Sequence, residues 1–401
     1  MKIKFSKIFF YIIYALTLAT NMLSEVTFMS SAFSLINKSF LFIGVIIFLV
    51  QSPKYNKKKF LMMATIFAVV IINYFITDDA LMIKLFILIM IFKDINFNKF
   101  IKFDLFIKII YYVLVICLCK ARLAENIITY RSDGSVRQAL GFGHSNTLGL
   151  YTMSICFDYI YLRYKKLKIW DLIFTAFFMF LIFKITNCRT AVLGFGLLII
   201  GILIVKLTKK MNISKNGLKK IIPFIPIFCS ALSIVCVLLY GKYDFIYTID
   251  SLLSGRIRYG RYFWEEYGIN LFGNVVTFIS TQQAALYNTS AEVLDNSYLK
   301  LLIQFGGIIF IIYNYLSYKS LKYLVNKEKD SSKEILLIIL ITFYILGISE
   351  TWLIKFYFNN FILYIAMYIY NKKLSDDKDK DFTKKENINF SKENNSNLTT
   401  C

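Results

Sequence analysis

"KYNKKKFLMMATIFAVVIINYFITDD", residues 54–79, decides how the chain folds. Four lysines precede an uncharged run from Phe60 to Thr77, and Asp78 and Asp79 follow it. A bilayer's hydrocarbon core takes about 20 apolar residues in a helix. Short loops rich in lysine stay on the cytoplasmic side. The stretch therefore reads as a membrane helix that begins inside and ends outside.

Comparable runs recur along the chain, centred near Tyr14, Ile43, Phe67, Leu88, Tyr112, Ile155, Met179, Leu198, Ser230, Ile309, Ile341 and Leu363. They predict an all-α fold, a polytopic membrane bundle of about 12 transmembrane helices over residues 1–370. The second run is interrupted near Lys38, and the fourth is short and carries Lys84. Lys2, Lys4 and Lys7 precede the first run, which reads as a span and not as a cleaved leader. With the amino terminus inside, the loops Lys54 to Lys59, Lys93 to Lys102, Arg163 to Lys168, Lys206 to Lys220 and Lys319 to Lys333 are all cytoplasmic and all lysine-rich. Residues 371–401, charged and asparagine-rich, read as a disordered cytoplasmic tail. Two extracytoplasmic segments, about 120–144 and 241–296, are too long to be plain turns. The second holds Trp264 and several tyrosines and is expected to fold as a small helical cap.

Hydrophobic residues make up 57% of the 401 and charged residues 18%, a membrane composition. The formal charge of +22 would imply a nucleic-acid partner only if a soluble domain carried it on one face, and the apolar runs leave no such domain. Seven cysteines form no CxxC pair and lie mostly in apolar runs, so they read as packing residues. A single histidine and scattered outer carboxylates argue against a dedicated metal site, and no cofactor is expected.

The eight arginines break the lysine pattern. Arg163 falls inside, whereas Arg122, Arg131, Arg137, Arg189, Arg256, Arg258 and Arg261 fall outside or at outer helix ends. The topology rule treats the two residue types alike, so something else holds arginine outside. Its planar fork binds phosphate bidentately, which points to an anionic ligand such as a phosphate or pyrophosphate at the membrane surface. The plainer alternative is pairing with Asp133, Asp250, Glu265 or Glu266, or contact with lipid headgroups.

Three local contexts stand out: "RQALGFGHSNTLG" from Arg137, "NCRTAVLG" around Arg189, and "SGRIRYGRYFW" around Arg256. With "LFGN" from Leu271 and "DNSYLKLLIQFGG" from Asp295, these blocks resemble the bacterial oligosaccharide repeat-unit polymerases, the Wzy-type enzymes of O-antigen and capsule synthesis. More distantly they resemble the O-antigen ligases. The resemblance covers about 50 residues. It implies a polytopic glycosyltransferase of the bacterial inner membrane, with both termini cytoplasmic and the active site outside. Its substrate would be an oligosaccharide repeat unit on undecaprenyl pyrophosphate, and a flippase and a chain-length regulator would be its partners.

Such a transfer needs charge stabilisation for the departing pyrophosphate, a base for the attacking hydroxyl and a groove for sugar. Arg189 and Arg256 are assigned to the pyrophosphate, with Arg137, Arg258 and Arg261 positioning it and Asn146 in the same block as His144. His144 is the first candidate for the base, although a histidine at a helix start can equally cap the helix or contact sugar, and Asp295, Glu265 and Glu266 are carboxylate alternatives. Trp264, Tyr259, Tyr262 and Tyr267 either stack on sugar or form an interfacial belt. A flippase is the rival from another class, but only Lys84 and Lys108 stand out inside the spans. A ligase is the closer rival. Here the histidine precedes the sixth span instead of lying in the large late loop, which favours the polymerase.

Overall fold

The computed structural model describes residues 2–23, 57–131, 134–210, 216–279, 283–284, 291–327, 332–372 and 374, together with residues 39, 42–43, 45–47 and 49–50. The expected span around Ile43 falls largely outside this set, as does the tail beyond residue 374. Among the described residues the fold is fifteen α-helices with one short hairpin, Ile128–Tyr130 paired antiparallel with Val136–Gln138.

Four helices are long and apolar enough to cross a membrane, as expected of a membrane protein: Lys57–Thr77, Ile169–Thr186, Arg189–Thr208 and Lys219–Leu239. Two more, Lys7–Met22 and Asn360–Ile369, are apolar but shorter. The remaining expected spans do not meet the same standard, for physical reasons. Leu81–Ile91 has 11 residues. At about 1.5 Å per residue it covers roughly half of a bilayer core. Phe97–Lys120 is long enough but carries Lys99, Lys102, Asp104 and Lys108.

Burial separates the helices into two sets. The four apolar spans bury only 28–33% of their length and expose large side chains such as Phe75, Phe174, Phe177, Leu203, Ile204 and Phe228. Apolar surface of that extent needs a lipid or protein partner. Leu81–Ile91, by contrast, is buried at every residue, as a helix apolar all round should be. Ser145–Arg163 is central too, packing on Phe97–Lys120, Ile169–Thr186, Arg189–Lys210 and Ser332–Leu346.

Its buried face carries charge. Lys108 Nζ lies 2.6 Å from Asp104 Oδ2 and 3.3 Å from Asp158 Oδ2, and none of the three side chains is exposed. Tyr14 donates to Asp104 Oδ1 at 2.6 Å, and Asn360 Nδ2 to Asp158 Oδ1 at 2.7 Å. Lys108 also donates to Ser154 Oγ, which donates to the Phe358 carbonyl, both at 2.7 Å. The network joins four separate parts of the chain, and only Lys108 among its charges stood out in the apolar pattern.

The long late segment is helical over part of its described length. Helices Asp244–Leu252 and Arg256–Tyr267 close over a small core of Val237, Ile246, Ile257, Phe263, Leu294, Leu299 and Ile303. The "SGR" turn has left-handed backbone at Ser254 (φ 58°) and Gly255 (φ 82°). Asp250 Oδ1 then accepts from Ile257 N at 2.7 Å and Arg258 N at 3.1 Å, satisfying donors that a helix start leaves open. Asp250 thus caps a helix instead of pairing with an arginine side chain.

"LFGN" and "QFGG" prove to be one contact. Gly273 has φ 99°, and a Cβ there would sit 2.1 Å from the Gln304 carbonyl oxygen; at Gly306, φ 92°, it would sit 2.3 Å from Gly273 N. Asn73 Nδ2 donates to the carbonyls of Phe272 at 2.7 Å and Phe305 at 2.9 Å, locking the crossing. These glycines serve backbone approach, not chemistry. Gly273→Ala is expected to abolish the folded protein, read as loss of the monodisperse peak in detergent size-exclusion chromatography.

Candidate functional site

One cavity of about 720 Å³ lies where the start of Ser145–Arg163, the segment after Ser332–Leu346 and the end of the cap segment meet. Its volume is that of a small-molecule site. It is lined by Arg137, Gly143, His144, Asn146, Thr147, Gln283, Val293, Asp295, Glu350, Thr351, Trp352, Lys355 and Phe358.

Arg137 arrives on the second hairpin strand, opposite Thr129. Its Nε donates to the Thr186 carbonyl at 2.8 Å, and its Nη2 to Asn146 Oδ1. These bonds fix the guanidinium plane and leave Nη1 outside both. The hairpin is itself tied down, because Arg131 Nη2 donates to the Asn187 carbonyl at 2.8 Å.

His144 is the N-cap of Ser145–Arg163, and its Nδ1 accepts from Asn146 N at 3.0 Å. Burial, and Arg137 after it, push the imidazole down to about 4, against an opposing pull from Asp295. The ring is therefore neutral near pH 7. Since Nδ1 accepts, its proton sits on Nε2, and the side chain offers the cavity a donor. That geometry does not favour the expected role of base. His144→Ala removes the cap and is expected to cost about 0.5–2 kcal/mol, whereas His144→Asn keeps an acceptor and should lose much less. Thermal unfolding in detergent measures both.

Glu350 is the residue that sequence reasoning missed. It lies just past Ser332–Leu346 with only 3% of its surface exposed. Its backbone is held by Ser297, whose Oγ donates to the Glu350 carbonyl at 2.6 Å. Oε1 accepts from Arg256 Nη2 at 2.6 Å and from Thr190 Oγ1 at 2.9 Å. Burial pushes the carboxyl up and Arg256 pulls it down; with smaller effects from Asp295, Thr190 and Lys355 it stands at about 7. Asp295 Oδ2 approaches the same Arg256 nitrogen at 3.9 Å, with 35% of its side chain exposed.

Four of the nine sequence-chosen residues line the cavity: Arg137, His144, Asn146 and Asp295. Arg256 stands directly behind the wall through Glu350. The other four are not among the lining residues. Arg189 is exposed at the first position of its helix, while its neighbour Thr190 makes the contact to Glu350. Arg258 is exposed with its guanidinium 5.1 Å from the Tyr259 ring centre. Arg261 pairs with Glu265 one helical turn on, at 2.5 Å, as the plainer alternative held. Trp264 packs against the cap core, and the tryptophan at the cavity is Trp352. Of the alternative acids, Asp133 lies outside the described residues, and Glu265 and Glu266 are exposed on the cap. The available signal for Glu350 and Lys355 was two isolated charges in a short link between apolar runs.

No family model, curated protein or solved structure matches the chain.

Proposed function

We propose that this chain is a membrane glycosyltransferase that polymerises oligosaccharide repeat units carried on undecaprenyl pyrophosphate. One observation carries the reading. Of the blocks that resemble the repeat-unit polymerases, two line one cavity and two more reach the back of its wall, although they are spread from Arg137 to Asp295. "RQALGFGHSN" supplies Arg137, His144 and Asn146, and "DNSY" supplies Asp295. "NCRT" and "SGR" supply Thr190 and Arg256 behind the wall, both on Glu350.

The geometry revises the roles. Arg256 is engaged by Glu350, and Arg189 is not a lining residue. The cations on the cavity itself are Arg137 and Lys355, so these two are assigned to the pyrophosphate. Lysine is a compact point charge and Arg137 a planar fork already oriented by Thr186 and Asn146. Trp352 and Phe358, with Gln283, Thr147 and Thr351, offer the mix of aromatic and hydrogen-bonding surface that a sugar ring needs.

In this reading the lysine-rich loops face the cytoplasm, the long apolar helices cross the inner membrane, and the cavity opens outside it. Transport is the second reading, because charge buried within membrane helices is its usual mark. The Asp104, Lys108 and Asp158 network pairs internally, and none of its groups lines the cavity. That arrangement supports a pin more than a path.

Surface glycan from a deletion strain, resolved on a gel, tests the proposal. Loss of a polymerase leaves single repeat units, loss of a ligase leaves full-length chains on the lipid carrier, and loss of a flippase traps units inside. Only the first pattern fits.

A further inference from the structure

We infer that Glu350 is the catalytic base that takes the proton of the attacking sugar hydroxyl, held for that task by Arg256 and Thr190. The inference rests on the glycosyl-transfer reading above and assigns a residue that neither the motif blocks nor the arginine pattern picks out.

Among the described residues the cavity has three ionisable candidates for this work, and their geometry separates them. His144 uses Nδ1 to accept from Asn146 N, so its other ring nitrogen carries the hydrogen. Asp295 is open to solvent over a third of its side chain, and the nearest cation, Arg256 at 3.9 Å, is closer to Glu350. That position suits accepting hydrogen bonds from sugar hydroxyls. Glu350 is fixed at both ends. Ser297 holds its backbone through two bonds, Oγ at 2.6 Å and N at 3.1 Å, both to the Glu350 carbonyl. Arg256 and Thr190 converge on Oε1 alone, which leaves Oε2 outside both bonds on a residue that lines the cavity. A carboxylate so restrained presents one oxygen to substrate without a rotamer search.

The acceptor's O–H bond breaks, its proton goes to Oε2, and its electron pair forms the new bond to the donor's anomeric carbon. The bond from that carbon to the pyrophosphate oxygen breaks, and its pair leaves on the phosphate beside Arg137 and Lys355. The proton on Glu350 passes to water once product departs. A carboxyl held near 7 suits this cycle, since it can both accept and release a proton at neutral pH. Arg256 acts through Glu350 and is a positioning residue.

The test uses full-length protein in proteoliposomes with lipid-linked repeat unit as substrate. Wild type is expected to polymerise faster as pH rises through about 7, because the base works deprotonated. Glu350→Gln should lower the rate by at least about 100-fold and flatten that limb, with undecaprenyl pyrophosphate binding unchanged. Glu350→Asp keeps the charge against Arg256 and should retain the pH limb at a reduced rate, which guards against a folding defect in the glutamine variant. Glu350→Gln at wild-type rate, or a flat profile in Glu350→Asp, overturns the assignment and leaves the transferase reading standing. Wild-type protein that makes no polymer overturns both.

Discussion

Replacing Arg137 with alanine is expected to lower polymer formation by about 100- to 1,000-fold, the usual loss when one preorganised donor to a developing anion is removed. The expectation follows from how the side chain is mounted. Arg137 sits on a hairpin strand, not a helix end, and the hairpin is tied to the Asn187 carbonyl through Arg131. Its guanidinium is then clamped by the Thr186 carbonyl and the Asn146 side chain. With two donors spent on positioning, the remaining ones would meet the proposed leaving group without reorganising at the moment of reaction. Arg137→Lys keeps the charge but cannot make both anchoring bonds from one nitrogen in the same plane, so it should recover little of the loss. Initial rates with purified protein and lipid-linked repeat unit measure this. Arg137→Ala within about threefold of wild type would remove Arg137 from the leaving-group site.

A second large effect, on stability, is expected at Lys108. It is wholly buried between Asp104 and Asp158, and Lys108→Met strands two carboxylates with no cation. Breaking a buried ion pair from one side costs about 3–5 kcal/mol, because the partner is left uncompensated. The triple variant Lys108→Met, Asp104→Asn, Asp158→Asn removes every formal charge from the network while keeping its shape. It should regain most of the loss, since replacing a whole buried charge network is often nearly neutral. Thermal unfolding of detergent-solubilised protein reads both. A single variant as stable as wild type would show that the network does not hold the bundle together.

Hydropathy found the apolar runs because a lipid-facing helix must be apolar along a bilayer's thickness, and Lys57–Thr77 and Ile169–Thr186 satisfy that alone. It could not rank the runs. Leu81–Ile91 is just as apolar; its shortness and Lys84 were legible, but its burial on all sides is revealed only by packing. The Asp104–Lys108 pair lies at i,i+4 and could be read from spacing, whereas Asp158 joins Lys108 across 50 residues and Asn360 joins Asp158 across a further 202.

The site divides in the same way. Arg137, His144 and Asn146 are close in sequence and share one turn into a helix, so a local block carried them. Glu350 comes from a link between two late helices and meets Arg256 across 94 residues and Thr190 across 160. No local pattern marks it. At Arg189 the charged residue drew the reading, yet the next residue faces Glu350, because a one-residue step turns about 100° around a helix. Arg261 with Glu265 was legible in advance as an i,i+4 pair on an exposed helix face.

If the proposed reaction is right, this one chain suffices to join lipid-linked repeat units at the Arg137–Glu350 cavity. The most direct measurement is reconstitution of the purified protein in liposomes with repeat unit on undecaprenyl pyrophosphate as the only substrate. A ladder of longer glycans on the lipid is expected, with one undecaprenyl pyrophosphate released for each unit added. Repeat units that stay single, whether left in place or moved across the bilayer, would contradict it.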